Sequence, residues 1–101
     1  MKKSYLFIFN KSLGSLEDVA NYVDSSSLIT SWRKELNSAY FIVSTSTAEE
    51  LYEDISSHFG EGVGTFLVSE YSQNSQGLLN ERSWHLLNEK KLPPKPKRKN
   101  S

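Results

Sequence analysis

The sequence predicts an α+β domain of ferredoxin-like plan, βαββαβ, in which a four-stranded antiparallel sheet carries two helices on one face. Three observations carry that expectation. Tyr5-Leu6-Phe7-Ile8-Phe9 is an uninterrupted apolar run that stops at Asn10. Alternate side chains of a strand point to opposite sides of a sheet, so such a run suits a strand buried on both faces and placed centrally. Ala39-Tyr40-Phe41-Ile42-Val43 repeats the pattern, and two stretches of helical periodicity, near residues 16–23 and 48–59, separate the strands in the required order.

Taken along the chain, Tyr5 to Asn10 is the first strand and Lys11 to Gly14 a loop. Ser15 then offers an acceptor to orphan backbone donors, with Glu17 and Asp18 at the positive end of a helix. Leu16, Val19, Ala20 and Val23 follow at i, i+3, i+4 and i+7 as one apolar stripe. Ser25-Ser26-Ser27 closes this helix with side chains that compete for backbone hydrogen bonds. Leu28 to Arg33 reads as a second strand at a sheet edge, and Lys34 to Ser38 as the hairpin connection to the third strand, Ala39 to Ser44. Thr47-Ala48-Glu49-Glu50 fits a capping box. Behind it Ala48, Leu51, Tyr52, Ile55 and Phe59 line one helix face up to the stop at Gly60. Glu61 to Gly64 is a turn and Thr65 to Tyr71 the fourth strand, while Leu78 to Leu87 is a short helix or irregular segment packed back on the domain. Strands one, three and four have apolar residues on both faces, so two helices leave one face needing a cover. Either the 78–87 segment or a second subunit supplies it, and a twofold homodimer is the expectation.

The chain of 101 residues, 37% hydrophobic, supports one modest core: a domain over residues 1–89 and a basic, Pro/Lys-rich tail over 90–101. Its net charge of zero conceals an asymmetry, for residues 1–89 hold six basic side chains against all twelve acids. The other six basic residues, Lys90, Lys91, Lys95, Lys97, Arg98 and Lys99, lie in the tail. Interleaved with Pro93, Pro94 and Pro96, they read as a disordered, polyproline-like arm and as the candidate contact for a nucleic acid, weak and without sequence preference. Absence of Cys excludes disulfides, thiolate metal sites and Cys nucleophiles. The opening apolar run is shorter than a secretory core and nothing approaches the ~20 apolar residues of a membrane span, so a cytoplasmic location without membrane contact is expected.

Residue patterns for catalysis are sparse. His58, in the last turn of the second helix, and His85, beside Trp84, have no neighbours at metal-ligand or triad spacing. No phosphate-binding glycine loop, nucleophile elbow or zinc-helix motif occurs. Gly60, Gly62 and Gly64 precede a strand instead of opening a helix, which argues against a dinucleotide site. Tyr5, Phe7 and Phe9 invite comparison with base-stacking sheets, but the third strand lacks the basic, glycine-bearing signature of RNA-recognition domains and core packing explains the rings.

The run Tyr5 to Asn10, the helix ending near Val23, Trp32, the stretch Tyr40 to Leu51, the strand Phe66-Leu67-Val68 and the closing Trp84 resemble small bacterial SinR-like proteins. These are in turn similar to the CRISPR-associated adaptation endonucleases, which form ferredoxin-like dimers. The resemblance spans about residues 4–88. In catalytically proposed members of that wider group an Asp ends the first strand and holds a divalent metal; here the matching position is Asn10. A neutral amide brings one carbonyl oxygen and no charge, whereas magnesium sites depend on carboxylates. The resemblance therefore implies a non-catalytic, dimeric binding module without metal or cofactor, acting through a protein partner or weak nucleic-acid binding. A metal-dependent endonuclease using another acid and an antitoxin-like regulatory partner are the alternatives.

Overall fold

In a computed structural model that describes residues 1–90, the chain runs β1 (Lys3–Phe9), α1 (Leu16–Ser25), β2 (Ser31–Leu36), β3 (Ala39–Ser44), α2 (Ala48–Phe59), β4 (Phe66–Glu70) and α3 (Glu81–Glu89). Every neighbouring strand pair is antiparallel and the order across the sheet is β2-β3-β1-β4. The fold is α+β with one four-stranded antiparallel sheet. Both double-faced apolar runs, β1 and β3, occupy its interior.

Strand alternation divides the sheet residues between two layers. On one face Tyr5, Phe7, Phe9, Tyr40 and Ile42 pack with Val19, Tyr22 and Val23 of α1 and Leu51 and Ile55 of α2. The rings interlock: Phe7 meets Tyr22 and Phe66 edge-on at 6.3 and 6.1 Å, and Phe9 stacks on Tyr40. Both helices start with reciprocal capping boxes, Ser15 with Asp18 and Thr47 with Glu50, which satisfy orphan donors at each first turn. Leu16 and Tyr52, expected on the apolar stripes, are instead about half exposed. Each lies at the margin of its stripe, at the side of the buried residues Val19, Tyr22 and Val23 of α1 and Leu51 and Ile55 of α2.

The other face differs from the two-helices-on-one-face expectation. Here α3 lies across the sheet, and Leu86 and Leu87 close a second core with Phe41 and Val43. Ser4 Oγ donates to the carbonyl of Leu87 at 2.8 Å, and Tyr71 Oη to Asn88 Oδ1 at 2.9 Å, fixing the far end of the helix. The chain itself thus supplies cover that one expectation assigned to a second subunit. Its cover is partial, since Ile8 and Leu67, paired across β1 and β4, stay 41% and 58% exposed.

Two further departures concern boundaries. The second strand starts at Ser31, because Leu28 and Ile29 turn into the α1 side core after a turn in which the Ile29 N–H donates to the Ser26 carbonyl. It then extends through Lys34 and Glu35 to Leu36, with a register shift between Arg33 and Leu36. The fourth strand is shorter than expected and lies at the edge opposite β2. The predicted basic arm from residue 91 onward, including Lys91, Lys95, Lys97, Arg98 and Lys99, lies outside the described residues. Lys90 closes α3 in a left-handed conformation, its N–H donating to the Leu86 carbonyl at 2.8 Å.

Candidate functional site

Asn10 follows directly on β1, where the resemblance locates an acid. Its side-chain oxygen accepts from the Ser12 N–H at 2.9 Å and from the Ser12 hydroxyl. Ser12 Oγ in turn accepts from the Thr65 N–H at 3.0 Å, and the Asn10 N–H donates to the Thr65 carbonyl at 3.2 Å. The amide therefore ties the turn after β1 to the approach of β4. Gly64 completes this corner: its φ is +78° and a Cβ there would overlap the Leu13 backbone, so only glycine fits without a shift. A short polar side chain that bonds backbone two residues on is the usual chemistry of such turns. The Asn10 oxygen is occupied by structure.

A polar cleft of about 370 Å³ opens between the C-terminal halves of α1 and α2, lined by Tyr22, Ser25, Ser26, Asp54, Ser57 and His58. Asp54 Oδ2 accepts from Tyr22 Oη at 2.6 Å and from Ser26 Oγ at 2.8 Å. Tyr22 is 2% exposed; burial first, and then its hydrogen bond to Asp54, pushes its phenol above the ordinary 10.0. The phenol is thereby held as a donor. His58 tilts over the Tyr22 ring at 5.0 Å with no hydrogen bond among those described, and it stands one turn from Asp54 on the same helix. This constellation clamps α1 to α2. Ser26 Oγ and Tyr22 Oη both donate to the same Asp54 oxygen, so the arrangement reads as an interhelical tie. Sequence reading missed it; the only signal was an Asp spaced one turn before His58.

A second polar group locks α3. Glu35 on β2 accepts from Ser83 Oγ at 2.6 Å and from the Asn80 N–H at 2.8 Å, and Arg33 Nε donates to Ser83 Oγ at 2.7 Å. The Ser83 and Asn80 hydrogen bonds, in that order, hold the Glu35 carboxyl below its ordinary value of 4.5. Among the described residues no three His, Asp or Glu side chains gather as a metal cage. His85 is exposed on α3. Tyr5, Phe7 and Phe9 are at most 4% exposed beneath α1 and α2, so their faces are closed to stacking bases.

Among the described residues an apolar margin lies open along β4. Leu67 and Ile8 on the α3 side, Tyr52 stacked on Phe66 at 5.5 Å on the other, and Val63 at the entry to the strand are all 41–58% exposed. The opposite edge is closed to such use: β2 carries a register shift and the charges of Arg33, Lys34 and Glu35, two of them bound to α3. No helix among the described residues is long and apolar enough to cross a membrane. No protein family, curated protein or solved structure matches the chain.

Proposed function

We propose that the chain is a non-catalytic binding module on the ferredoxin-like plan, related to the SinR-like proteins and acting through protein contact, with the basic segment from Lys90 to Lys99 adding weak polyanion binding. The order strand, helix, strand, strand, helix, strand through β4, with β1 and β3 interior, supports that plan, and α3 is an addition to it. One observation carries the reading: at the position of the group's metal-holding acid stands an amide whose oxygen already accepts two donors from Ser12. Dehydrating a magnesium ion needs carboxylate charge, and a neutral oxygen engaged in a turn supplies none.

The test is incubation of the purified protein with labelled RNA and DNA, in Mg²⁺ and in chelator. No cleavage above a mock preparation is expected for the natural chain. Chelator-sensitive cleavage that tracks the protein through purification and disappears on replacing one of its own acids would defeat the reading.

A further inference from the structure

Building on the reading of the chain as a contact module, we propose that the outer edge of β4, which no strand among the described residues pairs, is a self-association site, where a second copy adds its own β4 antiparallel and the two sheets become one. The backbone geometry selects this partner. The Asn10 N–H bonds to the Thr65 carbonyl and the Tyr71 N–H to the Ser4 carbonyl, which fixes the alternation along the β1–β4 ladder. In an antiparallel pair every second residue exchanges both bonds with its opposite number. Thr65, Leu67, Ser69 and Tyr71 therefore point their polar backbone at β1, and Phe66, Val68 and Glu70 point theirs outward.

Those three outward residues are symmetric about Val68. A twofold axis there sets Val68 against Val68 and Phe66 against Glu70, so outward groups meet outward groups and the register matches itself, as an isologous contact requires. Charge agrees with the pairing. The strand bears one charge, Glu70, which meets an aromatic ring of the other copy instead of the other Glu70. On the α3 side each Leu67 lies opposite Ser69, beside the exposed Ile8. A five-residue edge with four half-exposed side chains is smaller than the ~800 Å² a side of a standard interface, so the dimer is reversible and concentration-dependent. Residues 1–89 hold six more acids than bases, so two such bodies brought together repel, and salt should strengthen the association by screening that repulsion. Tail-to-body attraction would respond to salt in the opposite sense.

Sedimentation equilibrium of the full chain, from micromolar to millimolar and at two salt concentrations, tests the proposal alongside two variants. Val68→Pro removes an outward N–H and should shift the chain to monomer, with an unchanged circular dichroism spectrum. Val68→Cys should give a disulfide-linked dimer under mild oxidation, since directly opposed residues of a bonded pair sit at ~5.5 Å between Cα atoms, within disulfide reach, and the chain has no other cysteine. Ser69→Cys, offset from its twin by two positions, should not. A folded chain that stays monomeric at millimolar concentration, a dimer that weakens with salt, or one indifferent to Val68→Pro with efficient linkage through Ser69→Cys overturns the pairing. Monomeric behaviour leaves the binding-module reading intact, whereas nuclease activity removes that reading without touching the dimer.

Discussion

Asp54 shows how much of this molecule hangs on single polar side chains. Its carboxylate receives two hydroxyls from residues at least nine-tenths buried, Tyr22 and Ser26, so truncation strands two donors. Asp54→Ala should cost about 3 kcal/mol in urea unfolding, against about 1 kcal/mol for Tyr22→Phe, which removes donor and demand together. Tyr22 also sets an alkaline limit. Its folded pKa lies above the unfolded 10.0, so the stability it contributes is complete below about pH 10 and is lost as pH rises through the folded value. Unfolding between pH 10 and 11 should therefore be less steep with pH in Tyr22→Phe than in the natural chain. Equal slopes would show that this phenol does not govern the alkaline side.

Among the elements, α3 makes the difference between a two-layer domain and a sheet covered on both sides. It is too short to be stable alone in water and depends on its docking. Leu86 and Leu87 supply the apolar contact, while Glu35, Ser83 and Arg33 fix where the helix begins. Glu35 titrates below its ordinary 4.5, so its contribution is present above that value and lost as pH falls through the lowered one. Acidification should release the start of α3 before the sheet unfolds, seen as a change in Trp84 fluorescence while the β signal persists. Glu35→Gln should show the released Trp84 signal already at neutral pH. A Trp84 signal that changes only with global unfolding would mean that the helix is held by its leucines alone. Helix one and helix two were legible because caps and stripes are local; α3 was legible only as a short helix or irregular segment over 78–87, since Glu81 to Glu89 has few apolar residues and takes its face from the sheet.

At the scale of the whole molecule, an acidic body of six basic and twelve acidic side chains in residues 1–89 carries a basic end. All the elements that form the two cores fall between Lys3 and Glu89. Deleting residues 91–101 should then move Tm by less than about 2 °C, because even 1 kcal/mol would shift a domain of this size by ~4–8 °C. Retention on heparin should fall, and the salt dependence of that retention with it. A larger fall in Tm would show that the basic end packs on the domain. By contrast Phe7→Ala, at 0% exposure among the rings of Phe9, Tyr22 and Phe66, should cost about 4 kcal/mol.

The sequence by itself determined the central strands, the two capped helices, their order and the amide at Asn10, because apolar alternation, capping chemistry and turn chemistry act over a few neighbouring residues. Only the tertiary structure decided that α3 covers the second face, that Asp54 joins Tyr22 and Ser26, and that Leu67 and Ile8 form an open shoulder beside β4. Those depend on which strand lies at an edge and on how far a nine-residue helix reaches across a sheet. Contacts between residues 28 to 83 positions apart are set by the global packing and leave no periodic trace in the chain.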